Sequence, residues 1–376
     1  MKKRLFSLAC LSFAIISLLG SLSPAKSEAS VSSLTETTVI DRYSVPNLKK
    51  ERIASLPLMH RASLSPSTAY LYTEKIGRTA TDPTTYYLYE RKTKKLAPLS
   101  GYAAWYPKSD KLLINEKGNL VSFDPVGQQK KLIAPGDAIR PIVTQAVSPN
   151  ELYLAYIQID RTNSNLYKNG KLILQDLATS KILGADTIAM MVEPDRFATR
   201  IRWQPNGRKL FYQTSTGIKE WDLATGHISV HTRKELPSYS ADMTYAYDRT
   251  EKGAVLTHLP TGRKLPLGSA PGQLEGDLLS GVHWAPVGHA FVGEEFRGGS
   301  NGMDAYVWLR YQHEGSKRNV PPMTIEDPGI YYKAHDNKPF IGWSPDAKWI
   351  YTADLASIHC SSFVNKCNEQ FELIEP

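Results

Sequence analysis

Cysteine is scarce: the chain has three in 376 residues, and Cys10 sits inside an N-terminal apolar run. Only Cys360 and Cys367 remain beyond it, with His359 as the one neighbouring imidazole. That is too few donors at zinc spacing for a local zinc module. In an oxidising compartment the two thiols are expected to form a disulfide across a short loop, with two free thiols as the alternative. Long apolar runs are equally lacking, because after Leu5–Leu22 no segment is apolar enough to span a bilayer. No dense basic run or aromatic RNA-binding signature is present, which argues against nucleic acid as a partner. A glycine-rich phosphate loop is missing too. Helical periodicity is nearly absent. The single short helical pattern runs from Asp186 to Val192, with Asp186 as its expected N-cap.

What is there begins with a targeting segment. Lys2, Lys3 and Arg4 precede the apolar run, and Ser27-Glu28-Ala29 places small residues where a signal peptidase reads. Residues 1–29 are therefore expected to be a signal peptide, with an uncleaved anchor as the alternative. Residues 30–40 read as a Ser/Thr-rich linker and 41–376 as the folded domain. The expected location is secreted or periplasmic. Removing 1–29 takes away Lys2, Lys3, Arg4, Lys26 and Glu28, so the formal charge falls from +8 to +5. A mild positive excess of this kind suits residence near an acidic envelope polymer.

One phrase recurs along the chain. It reads Leu64-Ser65-Pro66, Trp105-Tyr106-Pro107, Val147-Ser148-Pro149, Trp203-Gln204-Pro205, Trp284-Ala285-Pro286 and Trp343-Ser344-Pro345. A large apolar residue stands two places before each proline, and proline presets φ for a tight turn. The prolines are 41, 42, 56, 81 and 59 residues apart, and the 81-residue gap hides a degenerate copy at Tyr239-Ser240-Ala241-Asp242. A period near forty is the size of a propeller blade. Within each period the pattern predicts four short antiparallel strands, as in Lys209–Tyr212 and Gly217–Leu223. The expected fold is all-β: one β-propeller of four-stranded blades, seven in number, with six or eight as the alternatives.

The Trp-Ser-Pro-Asp repeat resembles that of the TolB-type, WD-like propellers, over about residues 41–376. This chain departs from TolB itself, because no room for an N-terminal α/β domain exists between the signal and Pro66. The resemblance implies the propeller; related repeats serve scaffolds, peptidase gates and lyases alike. The last repeat reads as one strand short, with Gln370–Pro376 as its third strand. Pairing the β-rich run Thr37–Val45 with that strand is expected to close the ring. Cys360–Cys367 would then staple a hairpin loop of the closing blade.

Catalytic signals are weak. Gly298-Gly299-Ser300-Asn301-Gly302 matches a nucleophile-elbow pattern, but strands flank it on both sides, so a hairpin loop is the better reading. His283, His289, His313 and His335 share no ligand spacing. No catalytic residue, metal or cofactor is assigned. Asp160, Asn163, Ser164 and Asn165 read as a solvated turn, and the repeated tryptophans as packing between blades.

Attention therefore goes to loop length. Loops joining strands two and three, and loops joining blades, emerge on one face. They look long at Lys75–Thr85, Ile159–Asn169, Ala185–Arg200, Ala270–Gly281, Arg297–Asp304, Ser316–Pro339 and Ala356–Asn368. That face holds Arg78, Arg161, Arg196, Phe197, Arg297, Tyr331, Tyr332 and His335, residue types enriched in binding hot spots. The expectation is a non-enzymatic, monomeric binding or scaffold protein that recognises a protein or cell-envelope partner through this face. The alternative is a metal-dependent polysaccharide lyase or hydrolase with its site at the channel mouth.

Overall fold

The structure, a computed structural model, describes residues 37–44, 49–77, 82–160, 169–189, 192–193, 196–197, 200–231, 236–250, 253–267, 281–299, 302–310, 340–353 and 355. The chain divides into two compact units, Met1–Thr35 and Glu36–Pro376, and every described residue belongs to the second. Among the described residues all regular elements are strands.

Two N-terminal strands, β1 (Thr37–Ser44) and β2 (Lys50–Pro57), precede the first blade. Blade 1 contains β3 (Arg61–Leu64), β4 (Tyr70–Lys75), β5 (Thr85–Glu90) and β6 (Lys95–Leu99). Blade 2 contains β7 (Tyr102–Trp105), β8 (Leu112–Glu116), β9 (Asn119–Asp124) and β10 (Gln129–Ala134). Blade 3 follows with β11 (Ile142–Val147), β12 (Tyr153–Ile159), β13 (Asn169–Asp176) and β14 (Ile182–Ala189). A small hairpin of β15 (Val192–Glu193) and β16 (Arg196–Phe197) leads to blade 4: β17 (Ile201–Trp203), β18 (Lys209–Thr214), β19 (Gly217–Asp222) and β20 (Ile228–His231). Blade 5 is β21 (Ser238–Tyr239), β22 (Tyr245–Thr250), β23 (Gly253–His258) and β24 (Arg263–Leu267). The sixth sheet has three described strands, β25 (Gly281–Trp284), β26 (Phe291–Gly299) and β27 (Gly302–Arg310). The last pair is β28 (Phe340–Trp343) and β29 (Trp349–Ala353).

Apart from the two-stranded β15–β16 hairpin, these strands form six four-stranded antiparallel sheets and the three-stranded one, arranged as a β-propeller. The seven sheets coincide with the seven copies of the repeat. The closing sheet has the order β2-β1-β29-β28, so both ends of the fold contribute to it. Here the expected closure is corrected in detail. β1 pairs with β29, Arg42 opposite Tyr351, and on its other side with β2, Arg42 opposite Glu51. Both of its edges are taken, so the third-strand place given to Gln370–Pro376 belongs to β1, and the fourth to β2. Arg42 secures the join by bonding Glu51 at 2.6 Å and lying 4.0 Å from the Trp349 ring centre. β1 also begins at Thr37, inside the segment read as linker.

The turn between the first two strands explains why the repeat is so regular. The amide of Thr68, Glu151, Gly207, Met243 and Ala347 donates to the carbonyl three residues back, at 2.8–2.9 Å. Each of these residues has positive φ, between 56° and 71°. Serine before the proline position does further work: Ser148, Ser240 and Ser344 donate to Asn150, Asp242 and Asp346 at 2.6–2.7 Å. The same hydroxyls accept the amides of Tyr153, Tyr245 and Trp349 at 2.9 Å. Blade 5 has no proline here yet makes the same turn, so the Ser-x-Asp hydrogen bonds are sufficient to set it.

Cohesion lies between blades. The indole N–H of Trp105, Trp203, Trp284 and Trp343 reaches the first strand of the preceding blade, at Ser63 Oγ (3.1 Å), Ala146 O (3.1 Å), Ser238 Oγ (2.9 Å) and His283 O (3.1 Å). First strands thus neighbour one another around the central channel. The buried apolar clusters likewise sit between adjacent blades. Tyr72 and Leu88 of blade 1 meet Ala103 and Ile114 of blade 2, and Ile157 and Leu172 of blade 3 meet Leu210 and Tyr212 of blade 4. Burying such side chains contributes roughly 1.5–3 kcal/mol each relative to exposure, before the entropy of ordering is counted.

The expected helix at Asp186–Val192 is also corrected. Residues up to Ala189 form β14, with Asp186 opposite Leu172. Asp186 caps no helix; its Oδ2 accepts the Tyr212 hydroxyl at 2.7 Å and lies 2.8 Å from Lys219 Nζ, across the boundary between blades 3 and 4. Gly184 lies so close to Trp221 that a Cβ there would come within 2.6 Å of the ring. Strand pairing and this inter-blade contact overrode a local helical spacing.

Candidate functional site: the long-loop face

The two faces of the ring differ in construction. On the tight-turn face, neighbouring turns bond directly. Ser67 N donates to Asp110 at 2.9 Å, and Lys108 N and Ser109 N donate to Glu151 at 2.6 and 2.7 Å. His289 Nδ1 lies 2.8 Å from Asp242 Oδ2. Burial opposes ionisation of Asp242, yet bonds from Ser240, His289 and Thr244 hold its carboxyl at about 2.

The opposite face carries the strand two-to-three turns and the blade links. In blade 2 the Glu116↔Asn119 pair closes a two-residue turn in which Lys117 (φ 53°) and Gly118 (φ 92°) are both left-handed. That is the hairpin geometry that matches strand twist. Asparagine side chains then tie the turn to its surroundings. Asn115 accepts Gly118 N at 3.0 Å and donates to Ile142 O at 2.8 Å, while Asn119 accepts Gly136 N at 3.0 Å. Two glycines permit the close approach: a Cβ on Gly101 would lie 2.0 Å from Asn115 O, and one on Gly136 2.0 Å from Gly118 O.

This bracing frames an open groove of about 420 Å³, lined by Ser100, Glu116, Lys117, Asn119, Val121 and Leu132. Glu116 accepts Lys130 Nζ and Ser100 Oγ, and those two hydrogen bonds hold its carboxyl below the usual range. Leu132 stands 56% exposed at the edge. A carboxylate residue, a lysine, an asparagine and an exposed aliphatic thus line one open concavity.

Behind this face lies a buried polar knot at the boundary of blades 1 and 2. Arg61 Nη1 is 3.5 Å from Glu74 Oε2, and Tyr72 donates to Glu74 Oε1 at 2.7 Å while accepting Ala103 N at 3.1 Å. Burial pushes the Glu74 carboxyl up and the Arg61 guanidinium down, each partly offset by the other's charge. Arg61 Nη2 has no hydrogen-bond partner among the described residues.

The sequence-derived residues fare unevenly. Arg196 and Phe197 form β16, opposite Glu193 and Val192, so the long loop expected at 185–200 is the end of β14 plus a hairpin. Arg297 lies within β26 opposite Asp304, and Gly299 opposite Gly302 closes that hairpin, so the Arg297–Asp304 segment is ladder rather than long loop. Arg78, Arg161, Tyr331, Tyr332, His335, Cys360 and Cys367 lie outside the described residues, as do the signal segment and His313. Of the four histidines, His289 bonds Asp242 on the tight-turn face, and the His283 ring packs 4.8 Å from Phe340. Among the described residues no three His, Cys, Asp or Glu side chains converge as a metal site. The groove residues escaped the sequence reading because their loops are short. Their signal was Asn115-Glu116-Lys117-Gly118-Asn119, a turn flanked by two asparagines.

No protein-family model matches the chain, and no curated protein does. Several solved structures are similar to the chain. An oligogalacturonate lyase in complex with manganese is 14% identical with a TM-score of 0.50, covering 85% of this chain and 97% of that one. A protein assigned as TolB from Agrobacterium tumefaciens is 13% identical with a TM-score of 0.41, covering 86% and 99%. Dipeptidyl peptidase 4 of Porphyromonas gingivalis is 10% identical with a TM-score of 0.46, covering 72% and 49%.

Proposed function

We propose that this chain is an exported, non-enzymatic binding protein that recognises a protein or cell-envelope partner through its long-loop face. The observation that carries the reading is the braced groove at Ser100, Glu116, Lys117, Asn119, Val121 and Leu132. It lies on the face where the repeats differ, and its floor is held by asparagine bonds and glycine contacts that keep it formed without a ligand. Pre-organisation of that kind lowers the ordering cost of binding. Repeated features serve the ring, and a face freed from that duty can diverge.

The lyase alternative draws on His313 and His335, which lie outside the described residues, and on a likeness that extends to the fold alone. The test is a capture experiment from the envelope fraction, comparing wild type with Lys117→Glu/Leu132→Asp on the groove and Arg208→Gln/Lys348→Gln on the opposite face, where both residues are exposed. A partner set lost with the first pair and kept with the second supports the reading. Identical partners for all three chains would sink it, as would turnover of a polysaccharide by the purified protein.

A further inference from the structure

The positive charge of the chain is not spread evenly. Residues 61–134, which form blades 1 and 2, hold 12 Lys and Arg against 6 Asp and Glu, whereas residues 135–376 hold 25 against 27. Within this sector Lys92, Lys94 and Lys95 surround the turn between β5 and β6, and Lys108 and Lys111 flank the turn between β7 and β8. Both turns belong to the tight-turn face. All five lysines are exposed, and among the described residues none of them makes an ion pair.

A chain of hydrogen bonds places the two turns side by side. Arg91 Nη1 donates to Thr68 O at 2.6 Å, and Ser67 N donates to Asp110 at 2.9 Å, which joins blade 1 to blade 2. Lys108 N and Ser109 N then donate to Glu151 and join blade 2 to blade 3. The carboxylates at these turns are held by hydrogen bonds: Glu90 accepts Thr93 Oγ1 and Asp124 accepts Val126 N within their own turns, while Asp110 and, in blade 3, Glu151 accept across blades. Three of the four carboxylates bond backbone amides, which keeps them close to the turn backbone. Lysine ammonium groups stand beyond it on four-carbon stems. The outermost layer of this face is therefore cationic.

Two aliphatic side chains project from the same layer. Val126, in the turn between β9 and β10, is 77% exposed, and Leu152, beside Glu151, is 53% exposed. A flat basic face with protruding aliphatic tips combines electrostatic attraction to anionic headgroups with apolar burial at the acyl boundary. Lysine suits this task, because its compact charge needs no directed pairing.

We infer that the tight-turn face of blades 1 to 3 docks peripherally on an anionic lipid bilayer, leaving the long-loop face turned away from it. Nothing in this step depends on the groove. The test is co-sedimentation of the full chain with vesicles of equal parts phosphatidylglycerol and phosphatidylcholine, beside vesicles of phosphatidylcholine alone. Binding to the anionic vesicles only, weakened by salt, is expected. Lys92→Gln/Lys94→Gln/Lys95→Gln should weaken it on the order of a hundredfold, and Val126→Ser/Leu152→Ser by about three- to tenfold. Thermal melts of both variants matching wild type would show that the fold is intact. Equal binding to neutral vesicles, no binding to either, or indifference to the lysine changes would overturn the inference. So would binding to soluble polyglutamate without binding to vesicles, since the surface would then serve an acidic polymer.

Discussion

The tight-turn face and the long-loop face are built from the same seven sheets by opposite means. On the first, the same turn recurs in five blades, and neighbouring turns bond to one another where Ser67 N meets Asp110, Ser109 N meets Glu151 and His289 meets Asp242. On the second, each connection is individual, and order comes from local devices such as Asn115, Asn119 and the Gly136–Gly118 contact. Repetition gives cohesion where every blade needs it. Individuality gives a surface that can be shaped for one partner.

Four measurements press on that contrast. Trp343→Ala should have the largest effect, because it deletes a side chain only 9% exposed together with its bond to His283 O. A loss of about 3–5 kcal/mol in chemical denaturation is expected, while Leu132→Ala on the groove should stay within about 0.5 kcal/mol. Similar values for both would erase the division of labour. Gly136→Ala follows: a Cβ placed 2.0 Å from Gly118 O must move backbone, at a cost of about 1–3 kcal/mol. A neutral result would mean that the long-loop face is not braced as described.

Acid titration probes the stitched face. The Asp242 carboxyl is held at about 2, below its ordinary 3.8. A depressed pKa stabilises the folded state above the ordinary value, and that stability fades as pH falls from about 4 towards 2. Asp242→Asn should flatten this part of the stability–pH curve, a change on the order of 1–2 kcal/mol. Retention of the full slope would assign the acid sensitivity elsewhere. The smallest effect belongs to Glu116→Gln. Its partly exposed pairing with Lys130 should be worth about 0.5 kcal/mol or less in stability, so any large change in partner capture would report on recognition rather than folding.

The propeller was legible because its signals are local and repeated. Ser-Pro-Asn or Ser-Pro-Asp sets a turn from within four residues, and Trp two places earlier falls at the same height in every blade that has it. Even the copy without proline, at Ser240-Ala241-Asp242, could be placed by its strands, and the structure shows its serine and aspartate making the same bonds. The closing blade was half legible. Thr37–Val45 looked like a strand without a blade, but a pattern cannot say whether it fills the third or the fourth place, and β2 passed unnoticed as its partner. Asp186 misled for a related reason: its spacing to neighbouring apolar residues suits a helix, and only Tyr212 and Lys219 in the next blade reveal why it lies in a strand.

By itself, then, the order of residues determined the class of fold, the number of repeats and the turn that builds them, since each depends on contacts within a few positions of the chain. Tertiary structure decided which strand closes the ring, which tryptophan bonds which blade, and where Ser100, Glu116, Asn119 and Leu132 meet. Those outcomes depend on groups from 13 to 309 residues apart, from Asn119 with Leu132, through Trp343 with His283, to Arg42 with Tyr351. Their meeting is set by the stacking of whole blades, which no local pattern encodes.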